Sequence, residues 1–205
     1  MKKVLTLLLL ILVIVALYWI FFKKKKDTTE NQQPVPLAVT NKSDAFNTAF
    51  GNMLTVYYNL KDAFVDWDTT RVNQLTKSLK TLADSLPVNQ LKADSSIIIM
   101  ARDYSSTISG EAAGIAGEKD IQEKRKGFYT LSEALYELVR TVRYDGQVVY
   151  HQHCPMAFNE TEEAFWLSNK NEIVNPYMGN KHPKYKSSML HCGDLTDSLD
   201  FRKKE

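Results

Sequence analysis

DAFNTAFGNMLTVYYNLKDAFVDWD, residues 44–68, carries Phe46, Phe50, Met53, Tyr57, Leu60, Phe64 and Trp67 at alternating spacings of four and three. That period lines the large apolar side chains along one face of an α-helix, because residues three and four apart stack on a 3.6-residue turn. Ser43 and Asp44 supply side-chain oxygens suited to capping its first turn. A stripe this long must be covered, so the stretch predicts one member of a packed helical domain.

The same period continues downstream. Asp68 is placed as the N-cap of a second helix bearing Val72, Leu75, Leu79, Leu82 and Leu86, and Pro87 marks its end. A third segment at 89–117 offers Leu91, Ile97, Ile98, Met100, Ala101, Tyr104 and Ile108 to the core, with Gly110, Gly114 and Gly117 weakening its second half. A fourth starts near Asp120 with Phe128, Leu131, Leu135, Leu138 and Val142, and Asp145-Gly146 signals its closing turn. Short connections between amphipathic segments predict an up-down four-helix bundle over residues 44–146. The apolar stripes are assigned to the core. No Glu-x-x-His pair occurs within the helices and all four histidines lie beyond them, which excludes a carboxylate-bridged metal centre in the bundle.

Upstream, residues 4–22 (VLTLLLLILVIVALYWIFF) are uncharged. At ~1.5 Å per residue they reach roughly 29 Å, close to the hydrocarbon thickness of a bilayer. Lys2 and Lys3 precede the run, Lys23–Lys26 follow it, and Tyr18 and Trp19 sit where interfacial aromatics belong. With no small-x-small cleavage site after it, residues 1–26 are expected to form a single-pass membrane anchor. Residues 27–43, polar and containing Pro34 and Pro36, are expected to be a flexible linker. Residues 198–205 form a charged C-terminus. The formal net charge of +2 leaves no basic field for nucleic acid, since the one lysine run belongs beside the membrane.

Residues 147–197 have a different composition and are expected to be an irregular segment packed on the bundle, in a mainly α protein. Both cysteines and all four histidines fall between 151 and 192, concentrated in HQHCPM (151–156) and MLHCG (189–193). Thiolate and thioether sulfur favour Cu(I) and Ag(I), and imidazole suits copper and zinc. Cys154, Met156, Met189 and Cys192 are therefore the candidate ligands of a soft monovalent ion, with His151, His153 and His191 as auxiliaries. The other reading of the same residues is a non-metal interaction module stapled by a Cys154–Cys192 disulfide, worth about 3–4 kcal/mol for a loop of that size. Nothing in the spacing builds an acid–base arrangement around Cys154, so the chain is not expected to be an enzyme.

HCPMAF (153–158), FWLS (165–168), EIVNPYMGN (172–180) and SMLHCG (188–193) resemble an uncharacterised domain family of bacterial envelope proteins with CPMA, WLS, NPYxG and MxxCG motifs. The resemblance implies an inner-membrane protein with its soluble domain in the periplasm, in the company of adaptor proteins of copper and silver efflux systems. It implies a role in metal homeostasis or efflux, with such an adaptor or another envelope protein as partner. CPM also resembles the opening of short heavy-metal-binding domains. Here Ala157 and Phe158 stand where those have His-Pro, which removes one ligand. Trp166, Pro176, Tyr177 and Gly179 are expected to be framework, the aromatics packing the tail onto the bundle and Asn175-Pro176 setting a turn.

Overall fold

A computed structural model of the chain describes residues 39–202. The expected anchor at 1–26, most of the linker at 27–43 and the last residues of the charged terminus lie outside the described residues. Among the described residues, no helix is long and apolar enough to cross a membrane.

Four helices follow one another: α1 (Asp44–Val65), α2 (Thr69–Asp84), α3 (Ser95–Gly117) and α4 (Ile121–Val142). The starts of α1, α2 and α4 are fixed by side-chain caps. Ser43 Oγ accepts from the Phe46 amide at 3.1 Å, Asp68 Oδ1 from the Arg71 amide at 2.9 Å, and Asp120 Oδ1 from the Gln122 amide at 2.8 Å. Each cap satisfies an amide that the helix itself leaves without a partner. Each helix packs on the next in the chain, and the core contains the α1 stripe Phe46, Phe50, Met53, Tyr57, Leu60 and Phe64.

Four expectations change within the helical part. Trp67 lies past the end of α1 at φ 58°, and its ring sits 3.9 Å below the Arg125 guanidinium. The third helix begins at Ser95, because residues 88–90 form a 3₁₀ turn. Lys92–Ala93 (β2) pairs antiparallel with Val39–Asn41 (β1). The glycines do not interrupt α3, and Met100 is exposed.

The larger correction concerns residues 147–197. Instead of an irregular segment they form a three-stranded antiparallel sheet, so the fold is four helices plus a sheet, not a mainly α bundle with an appendage. Its strands are β3 (Val149–Phe158), β4 (Glu162–Ser168) and β5 (Asp194–Leu199), in the order β4-β3-β5. In register, Gln152 opposes Trp166, Cys154 opposes Ala164 and His153 opposes Asp194. The physical reason the strand is hard to read is that β3 is covered on both faces. His151 and Gln152 are both buried, so the usual apolar-polar alternation disappears.

The sheet joins the helices through the free edge of β4. Tyr57 Oη accepts the Leu167 amide at 2.9 Å and bonds Ser132 Oγ at 2.7 Å, while Ser132 donates to the Phe128 carbonyl at 2.7 Å. The Tyr177 hydroxyl donates to the Phe165 carbonyl on the same edge. Two buried phenols thus supply the partners that an edge strand otherwise seeks from another chain.

Candidate functional site: a buried dithiol

Alternation along β3 sorts the candidate residues onto two faces. His151 and His153 share one face, and Gln152 and Cys154 share the other.

The histidine face is built from structural contacts. The buried His151 ring lies between Tyr136 and Phe165, with centroids at 4.0 and 5.0 Å. Its Nε2 is 3.0 Å from Glu133 Oε1 and its Nδ1 is 3.0 Å from Thr196 Oγ1. His153 stacks on Phe165 and faces a carboxylate with each ring nitrogen, Asp194 and Glu163, both at 3.0 Å. Every ring nitrogen on this face therefore has a partner within the fold.

The other face holds the sulfur chemistry. Cys154 is fully buried, Cys192 is half-buried, and both are free thiols. Although far apart in the chain, they are brought near each other, since Gly193, which follows Cys192, packs on the carbonyl of His153, which precedes Cys154. Burial pushes the Cys154 thiol above its ordinary value, and the neighbouring Cys192 adds to the rise. The Met156 amide and the Asn175 side chain, both donating to the Cys154 sulfur, pull the other way.

Two backbone features bring the thiols together. Gly193 sits at φ 135°, where a Cβ would meet the His153 carbonyl oxygen at 2.2 Å. Only glycine lets the chain pass this close as it leaves Cys192 and enters β5. The turn before it closes with the Cys192 amide donating to the Met189 carbonyl at 3.1 Å.

The NPYMGN stretch anchors that turn to the helices. The fully buried Arg125 donates from Nε to the Pro176 carbonyl and from Nη2 to the Phe64 carbonyl, each at 3.1 Å. Desolvation by burial lowers the affinity of its guanidinium for the proton. Trp67 Nε1 donates to the Met178 carbonyl at 3.1 Å, and the Asn180 amide donates to the Val65 carbonyl at 2.9 Å. Gly179, at φ 61°, passes so close to Trp67 that a Cβ would lie 2.6 Å from its Nε1. As expected, Tyr177 and Trp166 are buried framework, in edge contact with centroids 6.0 Å apart.

The remaining candidates are dispersed. Met156 is half-buried and lines a cleft of about 320 Å³ with Met178, His182 and Tyr185. Met189 is half-buried against the core. His191 is exposed, its Nδ1 donating to the Ile173 carbonyl at 2.7 Å. Among the described residues, no group of three or more His, Cys, Asp or Glu side chains is disposed to hold a metal ion. What the structure gathers is therefore the thiol pair, without the imidazoles. Residue reading missed the side chain of Asn175 as a member of this site; its Asn-Pro turn signal pointed to the backbone alone.

Residues 53–146 match the family model described as protein of unknown function (DUF3347). The DUF3347 match begins inside α1 and ends at the Asp145-Gly146 turn, so it covers helices and leaves out the sheet and both cysteines. An uncharacterised domain family, as the resemblance implied, is what the match supports; a tie to copper or silver efflux is no part of it. No curated protein and no solved structure matches the chain.

Proposed function

We propose that the Cys154–Cys192 pair binds a soft monovalent cation of the Cu(I) or Ag(I) type, in a domain that serves metal homeostasis or efflux at the bacterial envelope. The observation that carries this reading is the approach of two free thiols from distant parts of the chain, where Gly193 beside Cys192 packs on the His153 carbonyl beside Cys154. Two sulfur donors without a gathered imidazole or carboxylate fit an ion that accepts low coordination, and fit poorly the four-ligand demand of structural zinc. Met189 is carried on the same turn as Cys192 and would be the thioether to join them. Bound as dithiolate, the ion would displace both thiol protons, so its affinity would rise with pH. The anchor expected at residues 1–26 and an efflux adaptor as partner belong to the same proposal.

The same proximity favours a second reading, an interaction module in which the two thiols oxidise to a staple that fixes the tail. Native mass spectrometry separates the two. Reduced wild type should retain one Cu(I) per chain, and Cys154→Ser and Cys192→Ser should each lose it. Equal retention by all three chains refutes the metal reading. Quantitative Cys154–Cys192 linkage in the chain as isolated, with no Cu(I) uptake after reduction, establishes the staple instead.

A further inference from the structure

We infer that the cleft beside His182 binds a small uncharged aromatic molecule carrying one hydrogen-bond acceptor, which the His182 Nε2–H holds.

The tautomer of His182 is settled by its own loop. His182 and Lys186 exchange two backbone hydrogen bonds, at 3.3 and 2.8 Å, which close the loop between them. Inside it, the Lys184 and Tyr185 amides both donate to His182 Nδ1, at 3.3 and 3.2 Å. A backbone N–H can only donate, so Nδ1 accepts and the hydrogen of the neutral ring sits on Nε2. Tyr185 stacks on the ring with centroids 5.1 Å apart, and Trp67 meets it edge-on at 5.9 Å, so the ring's orientation is fixed as well. Among the described residues, Nε2 has no hydrogen-bond partner.

The half-buried ring lines the cleft of about 320 Å³. That volume lies at the small end of ligand pockets, which run to about 1,000 Å³, and suits one ring with a short substituent. The walls are soft and aromatic. Met156 and Met178 bring thioethers, which pack favourably against aromatic rings, and Phe158 and Tyr185 bring rings of their own. The charged groups at the cleft are already matched. Lys126 pairs with Glu123 at 2.8 Å, and Glu160 pairs with Lys184. An ion entering the cleft finds its counter-charges engaged, whereas a neutral acceptor finds the His182 N–H. In this tautomer His182 is no ligand for a soft metal ion, since Nε2 offers a hydrogen where a metal needs a lone pair. Neither cysteine lines the cleft, so the site stands whether or not the dithiol binds metal.

The test sets three probes of nearly one shape against reduced full-length protein at neutral pH. Acetophenone carries the acceptor, α-methylstyrene replaces its oxygen by a CH₂ group, and benzoate adds a negative charge. Binding is followed by the Met156 and Met178 methyl signals in ¹H–¹³C NMR. Acetophenone should shift both methyls saturably and bind about fivefold more tightly than either analogue, the worth of one net hydrogen bond. In His182→Phe, which keeps a ring against Tyr185, acetophenone should weaken about fivefold while α-methylstyrene holds its affinity. In free wild type, ¹⁵N spectra should show Nε2 protonated and Nδ1 bare. The opposite tautomer, equal binding of acetophenone and α-methylstyrene, tighter binding of benzoate, or no saturable shift with acetophenone would each overturn the inference. So would unchanged acetophenone binding in folded His182→Phe. The tautomer and the wild-type probe series need no variant, and they decide the matter if His182→Phe fails to fold.

Discussion

Tyr57 is a core aromatic by its spacing and a hydrogen-bonding hub by its hydroxyl, and only the first role could be read from the stripe it belongs to. Tyr57→Phe keeps the ring and leaves the Leu167 amide buried without its acceptor. It should lower unfolding free energy by about 1–3 kcal/mol in urea titrations with an unchanged m-value; a loss within error would mean that the β4 edge finds another partner. Gly193→Ala forces a Cβ onto the His153 carbonyl at a backbone angle that L-residues rarely adopt. A loss of at least about 2 kcal/mol is expected, together with loss of Cu(I) retention; normal stability and retention would show that the crossing tolerates a side chain. The Cys154 thiol, pushed up chiefly by burial, has a sign of its own. The folded chain holds this proton more tightly than the unfolded chain does. The contribution is therefore complete below the ordinary thiol range and lost as pH rises through the folded value. Metal-free protein should weaken in alkaline solution. Cys154→Ser should weaken less steeply just above the ordinary thiol range. At higher pH the buried Tyr57 and Tyr177, shifted upward for the same reason, add their own loss. Equal slopes for the two chains would contradict this assignment.

Elements were legible where one face alone is buried. α1, α2 and α4 follow from their three-four spacing and their Ser43, Asp68 and Asp120 caps, because water on the far side leaves a readable polar face. β3 was not legible, since its buried His151 and Gln152 are polar residues matched to specific partners. Gln152 Nε2 lies 3.0–3.2 Å from the carbonyls of Lys170, Asn171 and Glu172, a polar contact invisible to hydropathy. α3 misleads in the opposite sense. Its spacing places Met100 on the apolar face, yet Met100 is 40% exposed, beside Ile99, which that face leaves out, at 55%. Ile99→Glu should therefore change stability by no more than about 0.5 kcal/mol, whereas Ile108, fully buried on the same helix, should cost about 2–5 kcal/mol on truncation to Ala. Comparable losses at both positions, measured by thermal or urea unfolding, would mean that the exposed end of α3 is covered in solution.

At the scale of the whole molecule, the sheet is a second layer that turns two distant sulfur motifs into neighbours. The meeting of Cys154 and Cys192 was legible as a possibility from the clustering of their motifs. The separation of the histidines was not, because it depends on strand alternation in a segment that reads as irregular. A soft-ion site made here would be of sulfur alone. The imidazoles on the opposite face would stabilise the sheet through Glu133, Glu163 and Asp194. X-ray absorption at the copper edge of the reduced, Cu(I)-loaded domain tests this most directly. The result expected is a low-coordinate shell of sulfur with no imidazole scattering. A shell containing histidine nitrogen, or a folded and fully reduced domain that takes up no copper, would contradict it.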